Sequence, residues 1–257
     1  MADGSSKRKR ALPHDATEGD EGEAASQAKR FRSSFADTIT VFAGDEKVPS
    51  TVHTEKLCAR SKYFKAACQR EWAEGQDKTV YIPEVSPETF DLYAIWAYFG
   101  KIDIEPLQEV EEDPGDYDDN SEEERQTWYD CTMALLRLHV AADYLGDEEL
   151  KKRTIDALTS VIAARRKLHS LVEVLSYVWS ATPPKAGLRK FVLDYVLSYA
   201  WDIYGWLREV ESKVPRDFFV DLAIHHLKIP RSRLIKSQLQ PLPARKHMYY
   251  DDYTPDA

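Results

Sequence analysis

Val48-Pro-Ser-Thr-Val-His-Thr-Glu-Lys-Leu-Cys-Ala-Arg-Ser-Lys-Tyr-Phe64 is the stretch on which the reading of this chain turns. Ahead of it, Asp37-Thr-Ile-Thr-Val-Phe42 alternates polar and apolar residues, the period of a half-buried strand, and Gly44-Asp45 supplies a turn before a second strand starting at Val48. Two short helical segments follow, one carrying Leu57 and the other Tyr63-Phe64, with Ser61 placed to cap the second. Thr79-Val-Tyr-Ile82 reads as a third strand. Ser86-Pro87-Glu88 then opens a helix in which Phe90, Tyr93, Ala94, Ala97 and Tyr98 recur at helical spacing.

These residues resemble the BTB/POZ domain. The resemblance is carried by an Asp leading the first strand (Asp37), a strand ending in His53, Leu57 four residues on, then Ser61 and Phe64. It continues through Val80-Tyr-Ile-Pro-Glu-Val-Ser-Pro-Glu-Thr-Phe90 and closes on Tyr98-Phe-Gly-Lys-Ile102, where Phe99 stands in place of the family's usual Thr. It implies an α/β, mostly helical fold: a small sheet flanked by a helical cluster. It also implies structural roles for His53 and for Asp37, an acid that the family buries near the strand and helix ends.

The 257 residues leave room for extensions around one such domain, and 43% hydrophobic content suffices for a packed core. No apolar run approaches the roughly 18 residues that span a bilayer, and the amino terminus lacks the apolar centre of a secretory signal. Three scattered cysteines, Cys58, Cys68 and Cys131, make no disulfide framework. Cys58 and Cys68, set among helical apolar residues, are expected to be buried thiols. The expectation is an intracellular protein, not a secreted one.

Charge is placed unevenly. Residues 109–124 hold ten acidic side chains and no Lys or Arg; removing those ten charges from a net of −9 leaves +1 for the remainder. This segment, with Pro114-Gly115, reads as a solvated acidic loop over 105–121, ended by the capping-box spacing of Ser121-Glu-Glu-Glu124. It lacks the spacing of a calcium loop. The acidic loop separates two helices of the BTB pattern, as in fungal BTB proteins, which this chain resembles.

Residues 1–34 are Gly, Ser, Ala and charge, a composition that predicts disorder. Two basic clusters, Lys7, Arg8, Lys9 and Arg10, then Lys29, Arg30 and Arg32, have the form that nuclear import receptors read, so the expected location is the nucleus, otherwise the cytoplasm. Six acidic residues before residue 35 offset seven basic ones, so direct nucleic-acid binding is not expected. The domain is expected to run over 35–164, its last helix starting at Asp147. Three further amphipathic helices, stopped or opened by Pro183-Pro184 and Pro215, make a helical extension over 165–240 that packs onto it. Residues 241–257 read as a frayed, disordered tail.

No catalytic motif is present: no Gly-x-Ser-x-Gly, phosphate loop, His-Glu-x-x-His or paired Cys-x-x-Cys. His225-His226 are adjacent and cannot share a helix face as paired ligands do. The expectation is no enzyme, no cofactor and no metal. Function follows from the resemblance instead: protein–protein interaction. Trp72-Ala73-Glu74, between the Phe64 helix and the third strand, fits the hydrophobic-x-Glu spacing of BTB adaptors that bind a cullin ubiquitin-ligase scaffold. Trp72 and Glu74 are therefore the candidate partner-binding residues. The alternative is a nuclear, transcription-linked scaffold without a ligase role. Only a charged tail precedes Asp37, where many animal BTB dimers carry an extra helix and strand, so a monomer or weak dimer is expected.

Overall fold

The computed structural model describes residues 37–69, 77–104, 107, 121–165, 171–199, 208, 210–228 and 243–251. Strand β1 (Thr38–Ala43) pairs antiparallel with β2 (Val48–His53), in the register Thr38 opposite His53 and Ala43 opposite Val48. The turn between them spans Gly44 to Lys47. Gly44 takes a φ of +67°, and a Cβ there would come within 3.0 Å of Pro87, so both the backbone and the space call for glycine. Strand β3 (Thr79–Ile82) joins the other edge of β1 in parallel, giving the order β2-β1-β3.

One face of this sheet carries Ile39, Val41, Ala43, Val52, Val80 and Ile82, all buried. The alternation seen in the sequence is the physical cause, since side chains of one parity all point to one face. Helices α1 (Thr54–Arg60) and α2 (Lys62–Ala67) bring Leu57 and Phe64 into that core. Ser61 sits at the corner between them. Its hydroxyl oxygen accepts from the Phe64 N–H at 3.0 Å, the expected cap, while its O–H donates to the Leu145 carbonyl at 2.6 Å. One buried serine thus starts one helix and satisfies the end of another.

Helix α3 (Pro87–Phe99) is capped by Ser86, starts with proline and ends at Gly100 in the left-handed region. Helix α4 (Glu122–Leu145) is capped by Ser121 and likewise ends on a left-handed glycine, Gly146. Asp147 then caps α5 (Glu148–Arg165): Oδ1 accepts the Leu150 N–H at 2.9 Å, and Oδ2 accepts the Trp96 indole N–H at 2.9 Å. Asp147 is buried, so these bonds are what make its burial tolerable.

The extension comprises α6 (Leu171–Ala181), α7 (Gly187–Tyr199), α8 (Arg216–Lys228) and a 3-10 helix, Pro243–Tyr249. These helices share a core with α4 and α5. Trp128, Leu135 and Leu136 of α4 and Ile155, Leu158 and Ile162 of α5 pack with Val174, Val178, Phe191, Val192 and Phe218. Leu138, Ala141, Ala142 and Leu145, further along α4, belong to the core beneath the sheet. Polar ties reinforce the extension. Arg189 reaches Asp221 at 3.1 Å, the Trp179 indole N–H donates to the same carboxylate at 2.9 Å, and His225 meets Asp194 at 2.6 Å.

Three expectations need correction. Over Pro243–Asp251 the chain is no frayed tail: Tyr249 is buried edge-on against Phe191, and Lys246 and Tyr250 both bond Asp156. A buried tyrosine and carboxylate partners outweigh the ordering entropy of a short segment. Asp37 is exposed rather than buried. Lys78 pairs with it at 2.7 Å, and its structural contribution is its carbonyl, which accepts the Thr54 N–H at 3.0 Å. Cys58 and Cys68 are half-buried: Cys58 stands one position around α1 from the core-facing Leu57, and Cys68 is the residue that ends α2; Cys131 on α4 is buried.

Candidate functional site

The sheet has a second face. Thr38, Thr40 and Phe42 of β1 and Tyr81 of β3 have the parity opposite to the core residues and point away from it. There the rings of Phe42 and Tyr81 stack at 4.9 Å and 12°, with Tyr81 53% exposed. The Lys47 ammonium lies 5.6 Å from the Tyr81 ring. Next to this pair, the Tyr63 hydroxyl donates to the Tyr81 carbonyl at 3.4 Å, and the Tyr63 ring lies 5.4 Å from that of Tyr144. Tyr144 is exposed as well.

Tyr63 stands on α2 and Tyr81 on β3, so this aromatic face brackets the connection that joins those elements. That connection carries Trp72 and Glu74, which lie outside the described residues. Aromatic side chains at a surface, three of them here (Tyr63, Tyr81 and Tyr144) with a hydroxyl, provide contact area at little loss of side-chain freedom, the usual chemistry of protein-docking anchors.

The BTB-pattern residues occupy structural places. The His53 N–H donates to the Tyr98 hydroxyl at 3.0 Å, and the same hydroxyl lies 2.5 Å from His53 Nδ1. Leu57 and Phe64 are core, and Ser61 is the cap described above. Asp37 marks the strand start at the surface. The basic clusters Lys7 to Arg10 and Lys29, Arg30 and Arg32 lie outside the described residues, as does most of the acidic loop.

Two titratable groups show what the interior imposes. His139 is fully enclosed, and burial together with the Lys151 charge pushes its pKa down to about 4. Burial opposes a charge on Lys151 too, but its bonds to Asp143 and Asp251, each at 2.5 Å, outweigh that and hold it protonated. Among the described residues no group of three His, Cys, Asp or Glu side chains is arranged to hold a metal ion. His225 is committed to Asp194 while His226 is exposed.

The aromatic face was legible in part. In Thr38-Ile-Thr-Val-Phe42 the alternation itself assigns Phe42 to the face of Thr38 and Thr40, and Tyr81 follows from Val80 and Ile82 in the same way. Tyr144 carried no such signal, because only the packing of α4 against α2 brings it to Tyr63. Asp147 was readable as an α5 cap after Gly146, though its bond to Trp96 was not.

A profile of the BTB/POZ domain matches residues 28–113. The chain is a BTB/POZ domain-containing protein, and the sheet, the α1–α2 pair and α3 fall within the match. Helices α4 and α5 lie beyond it, yet Leu138 to Leu145 and Leu150 complete its core. No curated protein matches the chain. BTB domains are in general protein–protein interaction modules rather than enzymes, and that is the class of function the fold defines. No helix among the described residues is long and apolar enough to cross a membrane.

Proposed function

We propose that this protein is an adaptor that docks a cullin-type ubiquitin-ligase scaffold through the α2–β3 connection, with Trp72 and Glu74 as the contact residues. The observation that supports this reading most is the exposed Tyr81 stacked on the half-buried Phe42, with Tyr63 and Tyr144 beside it, Tyr63 and Tyr81 standing on the two elements that the connection joins. Trp72 would fill an apolar groove on a partner helix and Glu74 would pair with a base, the aromatic face widening the contact. The helical extension is then the client-facing part. The test is a calorimetric titration of the full chain against a cullin amino-terminal domain. Micromolar or tighter binding, weakened about tenfold or more by Trp72→Ala with Glu74→Ala, is the expected result. Absence of binding by a chain with intact circular dichroism overturns the proposal.

A second reading, a nuclear scaffold without ligase partnership, is favoured by the basic clusters Lys7 to Arg10 and Lys29 to Arg32, which suit an import receptor. Its test is localisation of a fluorescent fusion. Replacing Lys7, Arg8, Lys9 and Arg10 by Ala should release the protein from the nucleus, and an unchanged distribution counts against an import role for that cluster. The likeness to fungal BTB proteins rests on the acidic segment between α3 and α4 and remains part of this proposal.

A further inference from the structure

Between the end of α3, the middle of α5 and the C-terminal 3-10 helix lies a cavity of about 370 Å³. That volume is within the range that binding pockets occupy, and the place, a seam between a domain and its extension, is where such pockets concentrate. Trp96, Ile102 and Ala157 give it an apolar base. Lys101, Arg153 and Lys246 line it with three positive charges against the one carboxylate of Asp156.

Those charges are not equivalent. Asp156 is already satisfied, accepting from Lys246 Nζ at 2.7 Å and the Tyr250 hydroxyl at 2.6 Å, so Lys246 and Asp156 cancel. Lys101 pairs with Asp103 at 3.2 Å and Arg153 with Glu149 at 3.1 Å, but all four side chains are at least 36% exposed. Neither Asp103 nor Glu149 lines the cavity. Exposed pairs of this kind are weak and screened, and exchange readily for a carboxylate held in a better place. Arg60, whose guanidinium lies 4.9 Å from the Trp96 ring and 3.3 Å from where a Cβ on Gly100 would stand, adds a further positive charge at the same edge. The cavity therefore presents two exchangeable cations above an apolar base.

We propose that this cavity receives an acidic peptide segment of a partner protein, with a carboxylate between Lys101 and Arg153 and an adjacent apolar side chain on Trp96 and Ile102. The proposal rests only on the general interaction role of the fold, not on cullin docking.

The experiment is an amide-resolved NMR titration of the full chain with a capped Glu-Glu-Leu-Glu-Glu peptide, and with its Gln-Gln-Leu-Gln-Gln counterpart. The expected result is a saturable shift at Gly100, Ile102, Ala157 and Ser160 with the acidic peptide alone, weakened by added salt. The double variant Lys101→Gln with Arg153→Gln should lower affinity about fivefold or more while leaving the fold unchanged. No shift at millimolar peptide, equal shifts with the glutamine peptide, or indifference to the double variant would each overturn the proposal. The same variant titrated against the cullin domain separates the two ideas: it should bind as the parent does, so failure of cullin docking leaves the cavity result standing, and the reverse.

Discussion

His139 is a histidine the fold keeps neutral. Its Nδ1 lies 2.8 Å from Thr154 Oγ1, and the Thr154 hydroxyl spends its proton on the Lys151 carbonyl at 2.8 Å. Thr154 is therefore the acceptor, and Nδ1 carries the hydrogen. With the folded pKa at about 4 and an ordinary value of 6.5, the unfolded chain takes up a proton across that window while the folded chain refuses it. Stability is thus fully present above pH 6.5 and falls as the pH drops toward 4. Between neutrality and pH 4.5 this one group should remove roughly 2–3 kcal/mol. Urea melts of the parent and of His139→Gln at the two pH values check it; an identical acid loss in both would show that other groups dominate. The cysteines give a second residue-scale prediction. Cys58 is half-buried, and a hydrogen bond from Cys68 lowers its pKa against the opposing effects of burial and Asp37, whereas burial pushes Cys131 up to about 12. Iodoacetamide at neutral pH should label Cys58 well before Cys131, which reacts only on unfolding. Peptide mass spectrometry over time reads the order, and equal rates refute it.

At the scale of elements, the C-terminal 3-10 helix is a strap joining the last BTB helix to the extension. Asp251 accepts the Gly187 N–H at 2.6 Å at the start of α7, and also meets Lys151 on α5. Burial opposes the charge on Asp251, but Lys151 and that N–H hold its carboxyl below the usual range. Lys190 donates to the Met248 carbonyl at 2.9 Å, and Lys152 lies over the Tyr250 ring. The strap fits so closely that a Cβ on Gly187 would come within 1.9 Å of the Tyr249 carbonyl oxygen, a backbone atom that cannot step aside alone. Gly187→Ala should therefore lift the strap, expose Tyr249 and cost about 2–4 kcal/mol. Thermal unfolding with hydrogen exchange over residues 243–251 measures it. A variant as stable and as protected as the parent would mean the strap contributes little. The sequence concealed this element because Pro, Lys and acidic tyrosine clusters are surface-like in composition, and only the groove between α5 and α7 makes a core residue of Tyr249.

For the whole molecule, α4 is the shared wall. Its first half faces the extension and its last turns face the sheet, so neither core is complete without it. The two cores should unfold together. Leu135→Ala on one side and Leu145→Ala on the other should each lower stability by about 2–5 kcal/mol without separating the transitions seen by tryptophan fluorescence and far-ultraviolet circular dichroism. Two resolved transitions would mean that the extension folds by itself. Sedimentation of residues 33–257 should report a monomer or weak dimer.

By itself the sequence determined the local elements and their ends. Alternation made β1 and β3, Ser61, Ser86 and Ser121 capped their helices, and Gly100 and Gly146 stopped theirs, because each acts through backbone groups a few residues away. It also placed one face of each strand inside and thereby put Phe42 and Tyr81 outside. The tertiary structure alone decided which distant groups meet: Ser61 with Leu145, Trp96 with Asp147, Tyr249 with Phe191, and Lys101 with Arg153 across a cavity. Those contacts join residues up to scores of positions apart. No periodicity encodes such pairings; they follow from how helices with broad apolar faces share a limited interior.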